Sequence, residues 1–219
     1  MTEHAHSRAA DRPDPLAAPA GPGRGDARLD APTELAAGSD RLAVFGEGVV
    51  RSAAGFRRVA SAAAAEAVVA VLDAHGARSA ALSSDLGPHL EAVAAACRAA
   101  GIETTGYAEA AAGSRERLGA IAAGVTGCSA AIAATGSVVM SAAAGRAAGL
   151  VAPLHVCVVR EEQVLGGLTD LFREHARLGT GSLTALQTGP SRSADIEKTL
   201  VIGAHGPCTV EVVLVTGPA

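Results

Sequence analysis

Side chains able to do chemistry concentrate between Thr188 and Pro207, in the run T-G-P-S-R-S-A-D-I-E-K-T-L-V-I-G-A-H-G-P. The hydroxyls of Ser191 and Ser193, the carboxylates of Asp195 and Glu197, the cations Arg192 and Lys198, and His205 all lie there. They sit between the turn dipeptides Gly189-Pro190 and Gly206-Pro207. An arginine receives a small carboxylate or phosphate through its planar fork of donors. A histidine framed by glycines, with an ordinary pKa near neutrality, can take or give a proton. Asp195 and Glu197 are two residues apart, so they face one side only if the chain is extended and diverge in a helix. Gly-Pro followed by Ser and then acids is expected to lead into a short helical turn, with Ser191 or Ser193 as the cap. The stretch therefore offers Asp195, Glu197 and His205 as catalytic candidates, and Ser191, Arg192 and Ser193 as binding candidates. No metal-ligand spacing joins them.

A second candidate lies at Ala134-Thr135-Gly136-Ser137, between the apolar runs Ala130–Ala134 and Ser137–Ser141. Those runs are expected to form a tight hairpin. The Thr135 and Ser137 hydroxyls, with backbone N–H groups around Gly136, are the kind of donor set that holds an anion. Arg146 supplies a further cation nearby. Each feature has an ordinary structural alternative: a capped turn, a hairpin loop, a solvated arginine, a histidine bonded within its own loop.

The elements that must position these loops follow from hydrophobic period and stop signals. Helices are expected at Ser61–His75, closed by Gly76, and at Pro88–Ala100, closed by Gly101. Further helices are expected at Arg115–Ala123 and over the long stretch Glu161–Leu178. Strands are expected at Arg78–Ser83, Ile102–Thr105, Leu154–Val159, Leu183–Gln187 and Val210–Val215. Strand alternating with helix indicates an α/β fold, a mostly parallel sheet flanked by helices, here with the hairpin as an insertion. In such a sheet a ligand cleft is expected where the C-terminal ends of the strands meet the Thr135–Ser137 and Pro190–His205 loops. His75, His175 and His155 read as structural, and His89 as a surface residue.

Composition narrows the function classes. Hydrophobic residues make up 49% and charged residues 18%, with no Trp, so a core of Ala, Val, Leu and Ile is expected. A net charge of -4 argues against nucleic acid as the main partner. The uncharged stretch between Arg117 and Arg146 is long enough to span a bilayer. Its glycines, serines and threonines fit buried strands better, so no membrane span is expected. Cys97, Cys128, Cys157 and Cys208 are widely spaced, which suits buried small hydrophobes rather than a disulfide, zinc or iron–sulfur framework. No signal peptide is evident, and a cytoplasmic location fits. Residues 1–39 carry half of the ten prolines and no hydrophobic period, so they are expected to form a disordered or loosely attached tail before an α/β domain over 40–219. No dinucleotide fingerprint, P-loop or cysteine cluster is present, and the cofactor is unknown.

Several runs carry a resemblance. G-V-T-G at Gly124–Gly127, A-I-A-A-T-G-S-V-V at Ala131–Val139 and L-H-V-C-V-V-R-E-E-Q-V at Leu154–Val164 are three of them. With T-G-P-S-R-S-A-D-I-E and G-A-H-G-P, they resemble, in order, the lactate-utilization protein C family (the LUD domain). The resemblance covers roughly Asp40 to the C-terminus. It implies a fold like that of ribose-5-phosphate isomerase, glucosamine-6-phosphate deaminase and the CoA transferases. It also implies a part in oxidising L-lactate to pyruvate beside iron–sulfur oxidoreductase subunits. A small carboxylate ligand and a homo-oligomer are further expectations for the chain. Where the family commonly reads A-E-T-G-T, this chain has Ala134 in place of Glu and Ser137 in place of the second Thr. Two alternatives stand beside that reading. One is a group-transfer enzyme of the CoA-transferase kind with Glu197 as nucleophile, on analogy of fold. The other is a non-catalytic scaffold of the oxidoreductase complex.

Overall fold

The computed structural model of the chain describes residues 34–112, 120–141, 151–174, 184–194, 200–202 and 206–218. Its centre is a pair of neighbouring strands, β7 (Leu154–Arg160) and β12 (Thr209–Thr216), which pair in parallel. Their β-branched residues suit a strand buried on both faces. Leu154, Val156, Val158, Val213 and Val215 point to one core, and Cys157, Val159, Val212 and Leu214 to the other. Around this pair stand β1 (Gly55–Ala60), β2 (Ser79–Leu82), β3 (Glu103–Gly106) and β4 (Ala123–Thr126). The six form one parallel sheet in the order β1-β12-β7-β4-β2-β3.

On one face lie α2 (Ala64–Ala74) and α3 (Leu90–Ala99), burying Val68, Val71, Leu72, Val93 and Cys97. Each buried side chain of this size contributes about 1.5–3 kcal/mol. Both helices end alike. Gly76 and Gly101 take positive φ, and the next N–H returns to the helix, Ala77 to the Leu72 carbonyl and Ile102 to the Cys97 carbonyl. A short helix, α4 (Tyr107–Ala112), follows β3.

The other face carries α1 (Arg41–Arg51) and a smaller sheet. Asp40 caps α1, its Oδ1 accepting from Leu42 N at 3.0 Å. Phe45 and Val49 enter the second core. The smaller sheet runs β8 (Val164–Leu165), β5 (Ala130–Ile132), β6 (Ser137–Ser141) and β9 (Thr184–Gln187), with β5 and β6 antiparallel as the hairpin pattern predicts. Its outer face is covered by α5 (Leu168–Glu174) through Leu171. Within the stretch read as a tail, Glu34 accepts from Thr169 N at 3.0 Å and Leu35 packs against the second core.

Three expected elements differ. Glu161–Leu178 is not one helix: a 3-10 turn at Glu161–Gln163 gives way to β8, and α5 starts only at Leu168. Val164 and Leu165 pair in parallel with β5, and Gly166-Gly167 breaks the helical period before α5. The expected helix Arg115–Ala123 falls partly outside the described residues, and its last residue, Ala123, opens β4. The stretch after Gly189-Pro190 is not a helical turn. β10 (Arg192–Ala194) pairs antiparallel with β11 (Leu200–Ile202), so Ser193 lies in a strand and caps no helix.

Candidate functional site

The two loops singled out by sequence meet at their roots. Thr135 Oγ1 lies 2.7 Å from Ser137 Oγ, which lies 2.7 Å from Thr188 Oγ1. Antiparallel pairing of β6 with β9, Val138 opposite Gln187, sets this contact. Gly136, at φ 68°, tucks its backbone against Gly48 of α1. Its N–H donates to the Ile132 carbonyl at 2.9 Å, and Ser137 is 2% exposed, so the donors of this turn are largely spent within the protein. Ser191 N donates to the Pro207 carbonyl at 2.9 Å, which closes the root of the β10–β11 ribbon. The side chains of Arg192 and Ser193, and all of Arg146, Asp195, Glu197 and His205, lie outside the described residues.

The edge of the sheet these loops occupy differs from the expectation. Pro207 leads into β12, and Gly189 abuts the carbonyl of Ser52, which leads into β1. The described roots of the loops thus lie by the N-terminal ends of the parallel strands. β5 and β9, both antiparallel to β6, run the same way and deliver the Thr135–Ser137 turn and Thr188 there, away from the C-terminal edge.

Behind them is a buried polar chain. His155 is fully buried, and its Nε2 lies 2.8 Å from Thr126 Oγ1. Thr126 Oγ1 also donates to the Gly127 carbonyl at 2.8 Å, so its single proton is used there. The hydroxyl oxygen therefore accepts from His155 Nε2–H, leaving Nδ1 bare and facing the buried Gln187 amide. Burial lowers the His155 pKa to about 4, opposed by the Gln187 contact, and the ring is neutral near pH 7. Its structural role is as the sequence suggests.

The C-terminal edge holds a different group. After β2 comes Ser83-Ser84-Asp85-Leu86-Gly87-Pro88-His89, and after β7 comes Arg160-Glu161-Glu162-Gln163. Asp85 Oδ1 accepts from Gly127 N at 2.8 Å, and Gly127 has no room for a Cβ because the Asp85 carbonyl would be 2.0 Å away. Burial raises the Asp85 pKa, while bonds from the Ser83 side chain and Gly127 act against it. His89 is 6% exposed, not the surface residue expected, because Pro88 and the unusual backbone of Gly87 (φ 55°, ψ −123°) turn it inward. Burial lowers its pKa, the Arg160 cation adds to this, and Glu162 opposes it. Gln163 fixes the neighbourhood by accepting from Arg160 N at 2.9 Å and donating to the Cys128 carbonyl at 2.6 Å.

His89, Arg160, Glu161, Glu162, Val215 and Gly217 line a cleft of about 220 Å³ here. A larger hollow of about 380 Å³ lies beside β2 and β3, and the charged groups among its described lining are Glu103 and Glu109. Among the described residues no cluster of metal-ligating side chains occurs. Cys97, Cys128 and Cys157 are buried as expected, whereas Cys208 is exposed, because it lies in the turn before β12. Cys128 has its thiol pKa raised well above the usual value by its bond with Cys157 and by burial. The sequence carried a signal for this edge: short polar runs directly after two buried strands, where open α/β sheets place ligands.

These features define an α/β protein with a small charged cleft at the C-terminal edge of its parallel sheet. The chain belongs to the LUD domain family, whose model matches residues 42–215. It is 34% identical over 95 residues to Lactate utilization protein C of Deinococcus radiodurans, 42% of this chain and 45% of that protein. It is 32% identical over 100 residues to Lactate utilization protein C of Bacillus subtilis, 42% of each. The matches thus span less than half the length of these curated relatives. The crystal structure of a DUF162 family protein from Deinococcus radiodurans shares the fold, with a TM-score of 0.57 at 24% identity, covering 80% of this chain and 96% of that one. No helix among the described residues is long and apolar enough to cross a membrane.

Proposed function

We propose that this chain serves lactate utilization in the cytoplasm. It takes part in oxidising L-lactate to pyruvate beside iron–sulfur oxidoreductase subunits on separate chains, and its own task is to bind a small carboxylate. The observation that carries this reading is the LUD-domain match over 42–215, together with relatives named for lactate utilization. The cleft at the C-terminal edge supports it: an arginine and a neutral histidine line a space smaller than the roughly 300 Å³ at which drug-sized pockets begin. Proton handling by Asp195, Glu197 or His205, and anion binding by Arg146 or Arg192, belong to the stretches singled out by sequence and form a reading separate from this cleft.

The test is genetic and biochemical. Deleting the gene is expected to abolish growth on L-lactate while sparing growth on pyruvate, and the full chain is expected to restore it. Affinity purification of the tagged chain is expected to bring iron–sulfur subunits with it. Normal growth of the deletion strain on L-lactate as sole carbon source overturns the reading.

A further inference from the structure

We propose that the cleft between His89 and Arg160 is the seat of a small 2-hydroxy or 2-oxo monocarboxylate, and that Glu162 is an internal competitor for the same arginine. This deepens the functional reading above and rests on it for the ligand class.

Arg160 is the last residue of β7, and Gln163 holds its backbone N–H, so the guanidinium leaves the sheet from a fixed point. Its buried Nε lies 2.8 Å from Glu162 Oε1, yet that N–H is not aimed at the carboxylate and makes no hydrogen bond. His89 Nε2 is likewise buried with no partner. A buried His89 nitrogen without a partner, beside an arginine Nε met only by the Glu162 charge, is costly unless something completes it.

A ligand carboxylate fits the arginine, because the guanidinium fork accepts such a group in bidentate fashion. A neutral imidazole offers one donor and one acceptor nitrogen, which matches a hydroxyl or oxo group on the neighbouring carbon. Glu162 already supplies a carboxylate of the right charge at the right cation. Its side chain is 63% exposed, so it can turn into water when a ligand takes its place. Glu161 is engaged elsewhere, accepting from Gly217 N at 3.1 Å. Among the described residues, the larger hollow by β2 and β3 carries the carboxylates Glu103 and Glu109 in its lining, which disfavour the same ligand.

Calorimetry on the full chain with L-lactate, pyruvate and inorganic phosphate tests this, with thermal unfolding to confirm that each variant is folded. Arg160→Gln is expected to weaken L-lactate or pyruvate binding about tenfold to hundredfold, the worth of a charged hydrogen-bonded pair. Arg160→Lys, which keeps the charge and loses the fork, stands in if that variant does not fold and is expected to weaken binding less. Glu162→Gln is expected to tighten binding about two- to fivefold, the worth of a solvated ion pair removed from competition. Wild-type affinity in all variants places the seat elsewhere and overturns the inference while leaving the lactate role standing. Loss with Arg160→Gln but no gain with Glu162→Gln overturns the competitor. Phosphate binding as tightly as the carboxylates, with the same Arg160 dependence, overturns the ligand class. No binding by any variant overturns the inference too. Growth on L-lactate, rescued or not by the wild-type chain, then decides the lactate role separately.

Discussion

Ser137 Oγ lies 2.7 Å from Thr188 Oγ1, across fifty-one positions of sequence, and ties the hairpin turn to the root of the β10–β11 ribbon. A hydroxyl pair of this kind holds two loops in register without adding charge. Ser137→Ala and Thr188→Val, alone and together, are expected to give a coupling of about 0.5–1.5 kcal/mol in urea unfolding. A coupling near zero would mean that the β6–β9 pairing alone sets the contact.

Gly136 and Gly48 make a closer contact, backbone to backbone. A methyl group on Gly136 would sit 2.1 Å from the Gly48 carbonyl carbon, and Gly136 has positive φ as well. Gly136→Ala is expected to cost about 2–4 kcal/mol, since neither chain can yield without lifting α1 from the small sheet. Gly76→Ala is the control. It has φ 66° and nothing within 4 Å of the added methyl, so about 1 kcal/mol is expected, from conformation alone.

Stability is expected to rise with pH between about 4 and 6.5 on account of His155. Its native pKa is about 4 and its unfolded value 6.5, so in that window the unfolded chain binds the extra proton and acid favours unfolding. The contribution is fully present above pH 6.5 and is lost as pH falls toward 4, on the order of 3 kcal/mol in all. His89 acts in the same direction, and Asp85, whose pKa is raised, acts in the opposite one. His155→Gln is expected to flatten the profile, read from urea midpoints between pH 4 and 7.

Gln163→Ala removes the partner of the Arg160 N–H and of the Cys128 carbonyl together. A loss of about 2–4 kcal/mol is expected, and the freed Arg160 should bind carboxylates more weakly although residue 163 touches no ligand. Unfolding and calorimetry on the same preparation check both halves.

Thiol accessibility follows directly from burial. In the native chain one thiol, Cys208, is expected to react quickly with a disulfide reagent, while Cys97, Cys128 and Cys157 react only on unfolding. Cys208→Ser should remove the fast equivalent.

What was legible in the sequence was the part where local signals and tertiary fate agree. The strands at Leu154–Val159 and Val210–Val215 announce themselves as unbroken apolar runs, and Gly76 and Gly101 end helices where the glycine pattern puts them. α1 was missed because Gly46 and Gly48 lower its helical propensity. Those glycines are there for contacts no local window contains, the Phe56 ring and the Gly136 turn. β1 was missed because Arg57 and Arg58 interrupt its apolar pattern, as an edge strand allows. Val164 and Leu165 carry helical spacing but are claimed by β5, a partner thirty-three residues away in the register. The C-terminal cleft escaped because His89 reads as polar and exposed until the backbone of Gly87 is known. Much of the chemistry proposed for 188–207 falls on residues outside the described ones.

The order β1-β12-β7 also governs how the molecule is made. β12 comes last of the described strands in sequence yet sits inside the sheet, and among the described residues β1 reaches the rest of the sheet through it. A chain emerging from the ribosome must hold β1 waiting, its hydrogen-bonding edge unpaired, until β12 slots in. Stalled or clipped synthesis near Thr209 would leave a sheet with a missing plank, exposed to aggregation or proteolysis.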